Sequence, residues 1–239
     1  MQQSNYRIKI IRLLIEINEF LFFYPKIRKF YNQLNKEGNF NVIFDVGTNK
    51  GQTIRVLKKI NPKVRIFGFE PNRFHYKKLV HSKIQNLFMY NYGCSDVNKE
   101  LLFNENILDE SSTFEVVDIN SKWLTKKAAI LGKNKNELIK KTYYVKCIRL
   151  SDFILKEKIK EIDLIKIDVE GHEINVLRGL FYKKSSNIKY IQLESHNDDL
   201  YASKKNNDID KIMKDNGYFL YQRVRHGFGN FSDLIYRKN

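Results

Sequence analysis

From Asn41 onward, short β-branched and aromatic runs alternate with stretches whose apolar positions recur at helical spacing. The pattern predicts a strand over Val42–Val46, a helix over Gln52–Ile60 and a strand over Val64–Phe69. A helix over Phe74–Lys83 and a strand over Leu87–Tyr92 follow. After an interruption the rhythm resumes with a strand at Ile162–Ile167, a helix at Glu173–Tyr182 and a strand at Ile188–Leu193. A helix at Ile209–Asp215 and two strands, Tyr218–Gln222 and Asp233–Tyr236, close the chain. Strands that alternate with helices build βαβ units, so the expected fold is α/β, doubly wound, with a mainly parallel seven-stranded sheet and helices on both faces. No helix separates the last two strands, so one of them runs antiparallel.

The first forty residues read as a helical extension, with Ile10, Leu13, Leu14, Ile17, Phe20 and Leu21 at helical spacing and Pro25 ending or kinking it. Lys26, Arg28 and Lys29 follow, set among Ile27, Phe30 and Tyr31. Such a segment suits either docking on the core or peripheral membrane contact through residues 1–36. The interruption, Glu100–Leu150, is rich in Lys and Asn and holds the only tryptophan, Trp123. It reads as an insertion or lid facing the acceptor, within a single domain spanning residues 41–239.

Charge adds a second constraint. Forty-three basic residues against 27 acidic ones leave +16, a surface that attracts nucleic acid, anionic lipid or acidic glycan. Part of this is a generic solvated face, as in the Lys133–Lys141 stretch. Cys94 and Cys147 lack Cys-x-x-Cys spacing, and two reduced thiols fit a cytoplasmic protein. No signal peptide is visible, and the apolar run Phe20–Tyr24 is far too short to span a bilayer.

The candidate chemistry sits at strand ends. "VIFDVGTNKGQT" (Val42–Thr53) is a strand, a glycine turn and a helix start. Gly47 permits the sharp turn and Gly51 the close approach of the helix, but the spacing is Asp-x-Gly-x-x-x-Gly, unlike the dinucleotide fingerprint. Asp45 would repel a pyrophosphate and suits a ligand with an ammonium group. The next strand, "RIFGFEPN", ends in Glu70, placed to accept from both ribose hydroxyls. Together these offsets point to an adenosyl ligand. In "YGCSD" (Tyr92–Asp96), Asp96 could accept from an exocyclic amine, or be ordinary turn chemistry. Asn49, Thr53, Pro71, Asn72 and Ser95 lie within these segments and join the cofactor-binding candidates.

The segments "IFDVGTNKGQT", "FGFEPN", "GCSD" and above all "IDLIKIDVEGHEINVLRGL" (Ile162–Leu180) resemble the FkbM family of class I S-adenosylmethionine-dependent methyltransferases, over about Asn41–Glu194. The resemblance implies a Rossmann-like methyltransferase sheet, S-adenosyl-L-methionine as cofactor, and methyl transfer to a hydroxyl oxygen, often of a sugar or related metabolite.

The donor would then lie over Gly47 and Glu70, with its sulfonium toward Asp168, Glu170 and His172. An in-line displacement holds oxygen, carbon and sulfur collinear, and a weakly acidic hydroxyl needs a base or a metal. Glu194 and His196, in "QLESH", end the neighbouring strand. Two uses compete. Either His196 or Glu170 is the general base while Asp168 orients the acceptor, or Asp168 and Glu194 bind a divalent cation. Asp168 also counts among the cofactor-binding candidates. His172 suits a helix cap or a supporting position as well as a catalytic one, Glu173 favours the helix N-terminus, and Gly179 reads as a helix ending.

The leading expectation is an O-methyltransferase on a small-molecule or glycan acceptor. A second is an RNA 2′-O-methyltransferase, since Lys166 and Asp168 could mimic part of a Lys-Asp-Lys-Glu site. Against it, Lys166 alternates with Ile165 and Ile167 and would face the other side from them. A third is a non-catalytic adenosyl-binding module held at membranes by the N-terminal segment.

Overall fold

The computed structural model describes residues 10–11, 13–14, 17–107, 111–115, 122–196, 206–227 and 231–239. In chain order the first elements are α1 (Tyr24–Lys36), β1 (Val42–Val46), α2 (Gln52–Ile60), β2 (Arg65–Phe69), α3 (Arg73–His81) and β3 (Leu87–Tyr90). Next come β4 (Gly93–Cys94), β5 (Glu100–Asn106), α4 (Lys122–Leu131), β6 (Ile139–Ile148) and α5 (Leu150–Lys156). The chain finishes with β7 (Glu161–Ile167), α6 (Glu173–Leu180), β8 (Asn187–His196), α7 (Asn206–Asp215), β9 (Tyr218–Arg225) and β10 (Phe231–Lys238).

The main sheet has seven strands in the order β3-β2-β1-β7-β8-β10-β9. β10 runs antiparallel to both β8 and β9, and is the antiparallel strand expected near the C-terminus. β1 is buried at all five positions, as a parallel strand covered on both faces must be. Successive residues serve opposite cores: Phe44 and Ile165 meet α5 and α6, whereas Ile43 and Leu164 meet α1 and α2.

Ile27, Phe30, Tyr31 and Leu34 give α1 its buried face. The Tyr31 hydroxyl donates to Gln192 Oε1 at 2.8 Å, tying the helix to β8. Pro25 does not end the helical path. A π turn over Glu19–Phe23 precedes it, with the Tyr24 N–H bonded to the Glu19 carbonyl. Pro25 then falls in the first turn of α1, where a missing N–H costs least.

The Glu100–Leu150 interruption holds more regular structure than its sequence suggested. β4, β6 and β5 form a separate three-stranded sheet. Leu124, Ala128, Leu131 and Leu138 make a small core, on which Ile11 and Ile107 pack. Gly179 is not a helix ending. It lies inside α6, where a Cβ would stand 1.9 Å from the Ser95 carbonyl oxygen, so its role is close packing. Cys94 and Cys147 are both unpaired and buried. Among the described residues, no helix is long and apolar enough to cross a membrane.

Candidate active site

At the carboxyl ends of β1, β2, β7 and β8 the sheet opens into a cavity of about 710 Å³, the size of a small-ligand site and where α/β sheets collect ligands. Gly47 leaves β1 at φ +86°, and a Cβ there would stand 1.9 Å from the Asp168 carbonyl oxygen. Only glycine fits both conditions. Asn49 and Gly51 are also left-handed, at φ +48° and +78°. The loop is stitched to β2. The Gly47 and Thr48 N–H groups donate to the Phe69 carbonyl at 3.0 and 3.2 Å, and the Asn49 N–H donates to Glu70 Oε2 at 2.6 Å. The Asn72 N–H holds the other oxygen, Oε1, at 2.8 Å. Glu70 is thereby clamped in the cavity wall, and a carboxylate oxygen can accept more than one donor.

Asn49, Thr53, Pro71 and Asn72 also line the cavity, while Gly51 lies behind it. The Asn72 side chain, however, caps α3, accepting from the Phe74 and His75 N–H groups. Thr48 Oγ1, Asn49 Oδ1 and both oxygens of Asp45 are buried with no hydrogen-bond partner among the described residues. Asp45 is fully buried under the cavity floor, in register with Lys166 on β7. Burial raises its carboxyl to about 6, with Lys166 pulling down and Asp168 pushing up. Thr48 and Asn49 line the cavity and Asp45 lies behind the lining, and these four acceptor oxygens fit a ligand rich in donors, as the ammonium and hydroxyls of S-adenosylmethionine are.

Ser95 and Asp96 stand apart from the cavity lining, which here consists of Tyr92, Gly93 and Cys94. The Ser95 hydroxyl donates to Asp96 Oδ1 at 3.1 Å and lies 2.9 Å from His172 Nε2.

The acidic block comes together as the spacing suggested. Asp168, Glu170 and Glu194 each offer a carboxylate oxygen within 4.8 Å of the others. Lys166 lies on the opposite face of β7 from Ile165 and Ile167, as the alternation implies, and so on the same side as Asp168. It is buried in the cavity wall, and its ammonium donates to Asp168 Oδ2 at 2.7 Å. Burial alone would lower the Lys166 pKa, but Asp168, Asp45 and Asp233 together hold it well above the usual lysine value. Glu170 sits at φ +53°, a left-handed conformation rare for a glutamate and typical of strained functional turns. Its carbonyl accepts from the Thr113 hydroxyl at 2.7 Å.

His172 begins α6 without capping it, and its buried ring points at the insertion. Nδ1 lies 2.6 Å from Glu115 Oε1, and Phe114 packs against the ring. Ser111, Ser112 and Phe114, on the same segment, line the cavity. Glu173 is buried and accepts the Gly171 N–H at 3.0 Å, which shapes the turn. His196 ends β8, and its side chain lies outside the described residues.

One group at the cavity was missed in the sequence. His226, from the β9–β10 connection, lines the cavity with Nδ1 2.9 Å from Glu19 Oε1 and Nε2 2.8 Å from Asp233 Oδ1. The ring stacks on Phe23 at 4.1 Å. Burial opposes protonation, but hydrogen bonds to Asp233 and Glu19 outweigh it and push the pKa up to about 10. Glu194, His226 and Asp233 cluster closely, and a metal ion there would take a His226 nitrogen from its present carboxylate partner.

Residues 45–220 match the Methyltransferase FkbM domain. The chain is similar to the hexuronic acid methyltransferase AglP of Haloferax volcanii, at 21% identity over 73% of this chain and 62% of that protein. It thus spans about three fifths of that relative's length. Among solved structures it is similar to fibrillarin of Aeropyrum pernix with bound S-adenosyl-L-methionine, at 14% identity and a TM-score of 0.44, covering 82% of this chain and 66% of that one. A SAM-dependent methyltransferase from Aquifex aeolicus is similar over 97% of each chain, at 13% identity and a TM-score of 0.43. The match across residues 45–220 runs from the β1 glycine turn through the Asp168 block to β9, and the chain belongs to the FkbM methyltransferase family.

Proposed function

We propose that this protein is an S-adenosylmethionine-dependent O-methyltransferase acting on a hydroxyl of a sugar, glycoconjugate or related metabolite. The observation that carries the reading is the placement of the clamped Glu70 and the Asp168–Glu170–Glu194 cluster around one cavity. The similarity to a protein named for hexuronic acid methylation supports a sugar acceptor.

Glu70 would hold the ribose hydroxyls, and Asp45, Thr48 and Asn49 the remaining donors of the cofactor. The bound cofactor supplies an electrophilic methyl group. Asp168, held by the Lys166 ammonium, orients the acceptor hydroxyl, and Glu170 takes its proton. His226 is already protonated at neutral pH and so cannot be the base. It offsets the negative charge beside Glu194. A divalent cation on Asp168 and Glu194 would have to share Asp168 with the Lys166 ammonium, whose like charge opposes it, which favours the metal-free route. The Lys166–Asp168 contact keeps an RNA 2′-hydroxyl as the second acceptor class.

Calorimetry with S-adenosylhomocysteine tests the cofactor half. Glu70→Ala should weaken binding by about 1.5–3 kcal/mol, and unchanged affinity removes Glu70 from the ribose. Radiolabelled methyl transfer to a panel of uronic acid and neutral glycans, with RNA alongside, tests the other half. Asp168→Asn should keep cofactor affinity within about twofold and lower turnover by about a hundredfold or more. Retained turnover would exclude Asp168 from the chemistry.

A further inference from the structure

The helical segment ahead of α1 turns its apolar side outward. Ile10, Leu13, Leu14, Ile17 and Leu21 recur at helical spacing, and each is 45% to 56% exposed. Phe20 and Phe22 extend the stripe at 61% and 53%. The segment is nevertheless fixed in place by its other side. Ile11 packs on the small core beneath α4, Asn18 is buried against Gly227, and Phe23 stacks on His226. A surface helix of a globular domain normally buries its apolar stripe. Here the stripe is left outside while a polar Asn is buried, and a continuous exposed patch of this kind marks an interaction surface.

Charge decides the occupant. Immediately beyond the stripe Lys26 and Lys29 are exposed and Arg28 is half-buried, on a chain carrying +16. A second copy would bring two strongly cationic bodies together, whereas anionic headgroups neutralise them. We propose that this stripe seats the protein in the interface of an anionic lipid bilayer, with the apolar side chains in the acyl boundary and Lys26 and Lys29 at the phosphates. Phe20 and Arg28 belong both to this surface and to the cavity wall, so the rim of the cavity comes to rest at headgroup level. The inference stands independently of the acceptor and of catalysis.

Co-sedimentation of the full chain with vesicles tests it. The protein should partition onto phosphatidylcholine vesicles containing phosphatidylglycerol, less so as salt is raised, and far more weakly onto phosphatidylcholine alone. The L14E/L21E pair, at exposed positions outside the cavity, should lower partitioning at least about tenfold. The K26E/K29E pair should abolish the preference for phosphatidylglycerol. Thermal melts of both variants should match the parent chain. If L14E/L21E melts early, the K26E/K29E result decides. Absence of partitioning, or partitioning that survives L14E/L21E in a normally melting variant, overturns the proposal. So does a dimer in sedimentation velocity that L14E/L21E dissolves while vesicles bind nothing.

Discussion

Both oxygens of Asp45 lack a donor among the described residues, and burial lifts its carboxyl to about 6. A carboxyl raised above its unfolded value weighs against the fold once it ionises, so its burden grows as pH rises from about 4 through about 6. Asp45→Asn should therefore melt no lower than the parent at pH 7, while binding S-adenosylhomocysteine about tenfold more weakly. A lower melting temperature would show that Asp45 serves the fold instead. Gly47 gives the opposite case. Gly47→Ala should destabilise by about 2–4 kcal/mol in thermal unfolding, because both its φ and the Asp168 carbonyl exclude a methyl group. Asp45, Gly47 and Glu70 were legible because a strand, a turn and a helix in succession fix where each must stand. Alternation along β7 put Lys166 opposite Ile165 and Ile167, where it stands, but gave no sign that it would be buried there. Alternation assigns an outward face only where a sheet has one, and β7 is covered on both sides. His226 left no signal, since its partners Glu19 and Asp233 lie 207 and 7 residues away without a motif.

The insertion is held over the cavity by contacts that include Thr113 to the Glu170 carbonyl and His172 and Asn175 to Glu115. His172→Ala should loosen residues 111–115, seen as faster amide exchange there, and lower turnover more than cofactor affinity. Equal loss of both would place His172 in cofactor binding. The same region explains why its strands went unrecognised. β6 reads Ile139-Lys-Lys-Thr-Tyr-Tyr-Val-Lys-Cys-Ile148 and is mostly exposed, so period-two burial shows as alternating hydrophobicity only at Val145-Lys146-Cys147. The predicted spans of β1 and α2 coincide with the structure, because the first is apolar apart from Asp45 and the second carries a strong buried stripe.

Across the whole molecule, the topology followed from the order of elements, because parallel strands joined by helices leave few ways to close a sheet. The first and last parts of the chain meet at His226, flanked by Glu19 and Asp233. Its pKa is raised from 6.5 to about 10, so the stability it confers is complete below about 6.5 and is lost as pH rises through 10. Between pH 7 and 10 the melting temperature of the parent should fall more steeply than that of His226→Gln, and parallel curves would contradict the assignment.

The position of β10 between β8 and β9 bears on how the protein is made. A ribosome releases Glu19 and Phe23 early, but their docking partner His226 comes late, between β9 and β10, an antiparallel pair that adds to the sheet only through the β8 edge. Until residues 231–238 have emerged, the leading helical segment lacks its settled contact with His226, and a nascent chain stalled earlier carries its donor-binding half with one wall of the cavity still open.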